Sequence, residues 1–131
     1  MKHWSRYLIL IILTSLYSCS ISEKEQLKKL EEQVLTRHDE VMSQMDKIYQ
    51  KQRKLQTYLQ KADSTKSDGK LVRKQIVDLK MADEAMMDWM HQYKSPTNLT
   101  PEKANLYLQD QLVKIKQVKK QVEGALANSE K

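Results

Sequence analysis

The sequence predicts an all-α chain: an up-down-up three-helix bundle with an extended first helix, set behind an N-terminal signal segment. Three observations predict it. The only glycines are Gly69 and Gly124 and the only prolines Pro96 and Pro101, in a background rich in Gln, Lys, Glu, Leu and Met, which favour helix. Breaking residues gather in two places, Ala62 to Gly69 and Ser95 to Pro101, and divide the chain into three segments. Each segment repeats its apolar residues at three- and four-residue spacing, the period of a helix that buries one face.

The N-terminal segment comes first, and its parts stand in a meaningful order. Lys2 and Arg6 form a basic head, Tyr7 to Leu16 an apolar stretch, and Leu16-Tyr17-Ser18-Cys19 resembles the lipobox at which bacterial lipoprotein signals are cut and acylated. The stretch Tyr7 to Leu16 is about half of the ~20 residues needed to cross hydrocarbon, so a spanning anchor is the weaker reading. Residues 1–18 are therefore expected to be a lipoprotein signal peptide, with Cys19 as the lipidated first residue of the mature chain. Cys19 is the only cysteine, so its acylation removes disulfide, thiol-nucleophile and cysteine-metal chemistry together. Ser20 is not the aspartate that tends to retain enterobacterial lipoproteins at the inner membrane. By resemblance to that sorting rule the expected address is the outer membrane, facing the periplasm or the cell surface.

Loss of 18 of the 131 residues leaves 113, enough for one domain and too few for two. Without Lys2 and Arg6 the 23 basic residues become 21 against 17 acidic ones, a net charge of +4. Lysines interleave with Glu and Asp along most of the chain, which describes a solvated helical surface and not a nucleic-acid-binding one.

Helix one is expected over Ser22 to Lys61, with apolar columns at seven-residue spacing. Leu27, Val34, Val41, Ile48 and Leu55 form one column; His38, Met45, Gln52 and Leu59 a second; Leu35, Met42 and Tyr49 a third. Helix two, over Lys70 to Lys94, carries the series Val72, Ile76, Leu79, Asp83, Met86, Met90 and Tyr93. Helix three opens on Thr100 as N-cap with Pro101 at the first helical position, where its missing N–H costs nothing. Ala104, Leu108, Leu112, Ile115, Val118, Val122 and Leu126 supply its buried face.

Short connections make neighbouring helices antiparallel. With the first turn centred near Lys66, residues facing each other across helices one and two should have numbers summing to roughly 132. Met45 then faces Met87, Met42 faces Met90, Tyr49 faces Asp83, and His38 lies about one turn from His91. Helix two ends level with His38, so residues 19–37 are expected to form the lipidated Cys and a stalk of up to ~20 Å. The bundle proper would be 38–127 and the tail 128–131. A stalk bearing Leu27, Leu30 and Val34 is a spacer or a surface that pairs with a second copy.

Three features bear on chemistry. His38, Met42, Met45, Met86, Met87, Met90 and His91 converge on one level with Trp89, and thioether with imidazole donors is a Cu(I)-selecting set. The competing reading is that methionines at heptad spacing fill a helical core, with His38 hydrogen-bonded to Asp39 or to a backbone group. Asp83 interrupts the seam of helix two and needs a partner, since an unpaired buried carboxylate costs several kcal/mol. Tyr49 stands opposite it, and a Tyr49–Asp83 pair that fixes alignment is preferred to a catalytic acid. No second carboxylate, nucleophile or Gly-rich loop accompanies it, so an enzyme is not expected. Finally, Asp63-Ser64-Thr65 looks like the O-glycosylation sequon of Bacteroidetes, which would place a sugar on Ser64. Asn98-Leu99-Thr100 spells an N-glycosylation sequon, which a bacterial export signal argues against.

Taken together, the lipobox, His38-Asp39-Glu40-Val41-Met42 and above all Ala82-Asp83-Glu84-Ala85-Met86-Met87-Asp88-Trp89-Met90-His91 resemble a group of small uncharacterised lipoproteins of Bacteroidetes. Some of that group carry the label viral A-type inclusion protein, and no viral function follows from it. The resemblance implies location and architecture only. The expected role is thus a lipid-anchored helical envelope protein, structural or protein-interacting, held to the membrane by its lipid, with an unknown protein partner and homodimerisation both open. An uncovered apolar strip would mark such a role, either on Leu27 to Leu35 or on the Tyr107 and Val113 side of helix three. The alternative is a periplasmic Cu(I)- or metal-binding protein built on the Met/His level.

Overall fold

In the computed structural model the backbone is described for residues 2–61 and 67–130, and the side chains for residues 22–61 and 68–130. Three helices form: α1 (Lys2–Lys61), α2 (Ser67–Gln92) and α3 (Pro101–Asn128). They pack as an all-α three-helix bundle. Cross-helix bonds fix the direction of each. Tyr49 bonds Asp83 and Tyr93 bonds Glu31, so α1 and α2 run antiparallel. Gln75 donates to the Asn128 carbonyl and Gln121 to that of Met81, so α2 and α3 are antiparallel too. Lys119 bonds Glu40, 79 positions away, and Lys51 pairs with Glu130 at the same separation, which makes α3 parallel to α1 in constant register.

The core follows the heptad columns of α1. Val34, Val41 and Ile48 are fully enclosed, and Met45 joins them from the second column. Leu79, Ala82, Met86 and Trp89 meet them from α2, and Leu108, Ile115, Val118, Val122 and Ala125 from α3. Enclosing a Val, Leu, Ile or Met side chain is worth about 1.5–3 kcal/mol, so this axis carries the fold. The third column of α1, Leu35, Met42 and Tyr49, stays at the surface because it points past α2 to solvent.

Several boundaries and faces differ from expectation. α2 begins at Ser67, three residues before Lys70, and ends at Gln92. Its buried seam is Val72, Gln75, Leu79, Ala82, Met86 and Trp89, so Ile76, Asp83 and Met90 sit on its flank toward α1. α3 buries Gln111 and Ala125 more deeply than Leu112 and Leu126, which are half-buried. Thr100 does hold the N-cap position in extended backbone, and its carbonyl accepts from Ala104 N at 2.8 Å, but its side chain makes no capping bond.

The largest correction concerns the stalk. Within residues 22–37, Val34 is fully buried and Leu27 and Leu30 pack on the core, so this stretch is part of the bundle. The connection after α2 and the first turns of α3 run down beside α1, where Pro96, Leu99 and Ala104 line a groove with Lys24 and Leu27. The rule that α2 ends level with His38 neglected the cover that α3 supplies below that point. At the opposite end α3 stops at Asn128, level with Tyr49, and beyond it α1 pairs with α2 alone. Tyr58 and Leu71 are exposed there. Among the described residues, no helix is long and apolar enough to cross a membrane.

Candidate functional site

The level singled out by the sequence lies in the lower half of the α1–α2 interface, and the structure sorts its donors into two environments. Met45 and Met86 belong to the core. Met42 and Met87 are each 41% exposed and Met90 38%, and His91 faces solvent. The helical period explains the sorting: Met86 stands on the α2 seam, whereas Met87 and Met90 are rotated off it toward the α1 side and outward. His38 is half-buried, and its Nδ1 lies 2.9 Å from Asp39 Oδ1. An ionised carboxylate only accepts, so Nδ1 carries the proton and donates.

Around His38 runs an aromatic ladder that the sequence reading did not assemble. The His38 ring lies 5.6 Å from Trp89, Trp89 stacks on Tyr93 at 4.9 Å, and Tyr93 lies 6.3 Å from Tyr107. The i, i+4 spacing of Trp89 and Tyr93 was a usable signal; His38 and Tyr107 arrive from other helices and had none. Trp89 is buried, and its Nε1 has no hydrogen-bond partner. Glu31 ties the foot of the ladder, accepting from Tyr93 at 3.3 Å and from Ser95 Oγ at 2.6 Å, while Tyr107 Oη accepts from the Lys94 backbone N–H at 2.9 Å. Burial foremost, with the Glu31 charge behind it, pushes the Tyr93 phenol up to about 12.

Above this level Tyr49 donates to Asp83 at 2.9 Å, across helices, on the flank of the seam and at the solvent edge. That bond, then Tyr49's partial desolvation and the Asp83 charge, raises the Tyr49 phenol above its ordinary value. On the opposite side of α1, Arg37 Nη1 reaches both Glu40 oxygens at 2.7 and 2.8 Å, and Lys119 Nζ closes on Glu40 at 2.6 Å. The hydrogen bonds from Arg37 and then Lys119 hold the Glu40 carboxyl down at about 2. This clamp, also missed, joins α3 to α1; only its i, i+3 half was visible in the sequence.

Cys19 and Ser64, the expected lipidation and glycosylation positions, lie outside the residues whose side chains are described. Among the described residues no three His, Cys, Asp or Glu side chains gather into a metal-holding group. Grooves between the helices open to solvent, one where Lys47, Gln50 and Lys51 meet Ala127 and Glu130, another lined mainly by Leu27, Pro96, Leu99, Pro101, Ala104 and Leu108. Comparison with family models, with curated proteins and with solved structures returns no match.

Proposed function

We propose that this chain is a lipid-anchored helical protein of the bacterial envelope whose role is structural or protein-interacting and not catalytic. One observation carries the interaction part. Leu106 and Val113, one heptad apart on the outer face of α3, are 69% and 66% exposed although the bundle has no use for them there. Apolar side chains repeated every seven residues on an outward helix face make a seam that a second helix can cover. Of the strip expected on the Tyr107 and Val113 side of helix three only Val113 is uncovered, since Tyr107 packs on the core, and the alternative, Leu27 to Leu35, is largely occupied by the bundle itself.

The anchoring part rests on the N-terminal signal and on the resemblance to small Bacteroidetes lipoproteins, with outer-membrane placement following from Ser20. Cleavage before Cys19 would leave only about 6 Å of helix between the lipidated residue and Glu23, which lines a groove with Pro101 and Asn105. The bundle would therefore sit close to the bilayer and not on a long stalk.

Metabolic labelling with an alkyne palmitate tests the anchor: label in the membrane fraction, abolished by Cys19→Ala, is the expected result. Unlabelled soluble protein would sink it. For the seam, a photo-crosslinking amino acid at 106 or 113 should give one discrete adduct in cells, absent when it is placed at 109 or 116. Equal crosslinking at all four positions would refute a defined interface.

A further inference from the structure

The exposed edge of the α1–α2 interface holds a set of soft donors that the packing does not consume. Tyr49 and Asp83 show which residues meet across this edge, since their side chains are bonded at 2.9 Å. One heptad below them on each helix stand Met42 and Met90, in the same register and on the same edge, at 41% and 38% exposure. Four residues before Met42, on the same face of α1, stands His38. Its Nδ1 is engaged by Asp39, which leaves Nε2 as the nitrogen free to take a metal and fixes the orientation of the ring. The ring of Trp89, 6% exposed, lies 5.6 Å from the His38 ring and gives that ligand a dry neighbour.

We propose that His38 Nε2 and the thioether sulfurs of Met42 and Met90 form a Cu(I) site at this edge. One imidazole and two thioethers are neutral, soft ligands, which suit a polarizable monovalent ion and not Zn²⁺, Ca²⁺ or Mg²⁺. The Trp89 ring beside His38 adds attraction for a cation held there. Met45 and Met86 are excluded because the core already encloses them, His91 because it faces solvent, and Met87 because it stands nearly one turn nearer Asp83 than Met90 and so opposite the enclosed Met45. The site is thus smaller than the seven-donor cluster and opens to solvent, so an ion can enter without unpacking the bundle. This inference goes beyond the envelope role and stands independently of it.

The test uses the full chain in nonionic detergent with Cys19→Ser, which removes the only thiol. Cu(I) is titrated anaerobically against the chelator bicinchoninate while the methionine methyl resonances are followed by NMR. One equivalent of Cu(I) should be withdrawn from the chelator, with the Met42 and Met90 methyls shifting and those of Met45 and Met86 still. Met42→Leu or Met90→Leu, both at exposed positions that leave the helical circular dichroism unchanged, should abolish the competition, and Met86→Leu should not. Asp39→Asn, acting only through His38, should weaken binding about tenfold. Failure of the parent chain to compete, or competition that survives both exposed-methionine substitutions, would overturn the site.

Discussion

Glu40 shows how a surface carboxylate can join two helices. Its folded pKa lies near 2, below the ordinary 4.5, because the unfolded chain lacks Arg37 and Lys119 at hydrogen-bond distance. A depressed carboxylate contributes stability that is present above pH 4.5 and is lost as the pH falls toward about 2. Thermal melting across that window should show the midpoint falling with pH in the parent and falling less in Glu40→Gln. Tyr93 gives the opposite dependence. Its phenol ionises near 12 in the fold and near 10 in the unfolded chain, so stability should fall from pH 10 toward 12, and Tyr93→Phe should flatten that fall. The Tyr49–Asp83 bond stands at the solvent edge, where a hydrogen bond contributes modestly. Tyr49→Phe should therefore lower stability by about 1 kcal/mol or less in urea titration.

Among the elements, the lower part of α1 carries the most informative test. If residues 22–37 were a free stalk, a charge at Val34 would be harmless. Val34 is instead enclosed by the bundle, so Val34→Asp should cost about 3 kcal/mol or more, while Leu35→Asp next to it should stay within about 0.5 kcal/mol. Denaturant unfolding of the two variants distinguishes a packed helix from a spacer. α2 makes a similar contrast within its methionines. Met86→Ala should cost about 2–5 kcal/mol by opening a cavity, whereas Met87→Ala removes only partly exposed surface and should cost far less.

At the scale of the whole molecule the three helices are staggered, and their overlap sets local stability. Three helices enclose the middle of the bundle around Val41 and Met86, but above Asn128 the α1–α2 tip has two partners only. Hydrogen exchange should therefore find the amides of residues 55–61 and 68–73 opening well before those of residues 41–48 and 79–86. Equal protection at the tip and centre would contradict this stagger. The constant separation of 79 residues between α1 and α3 partners also makes α3 slide-sensitive: a one-residue shift would part Lys119 from Glu40 and Glu130 from Lys51 together.

The helical class, the three segments, their direction and the opposition of Tyr49 to Asp83 were legible in the amino-acid order, because breakers, heptads and short connections act locally or through simple counting. In the α2 seam Val72, Leu79 and Met86 were read correctly, but Ile76, Asp83 and Met90 stood in for Gln75, Ala82 and Trp89, since they share nearly the same helical face and only the angle of approach of α1 and α3 separates them. For the same reason the sequence grouped seven donors at one level, and tertiary packing alone sent Met45 and Met86 inward and left Met42 and Met90 at the edge. The Glu40 clamp and the His38–Trp89–Tyr93–Tyr107 ladder draw on more than one helix, so no spacing announces them in full. Periodicity along one chain determines which residues share a helix face; how far that face is covered depends on the rotation and stagger of its neighbours, which only the folded bundle decides.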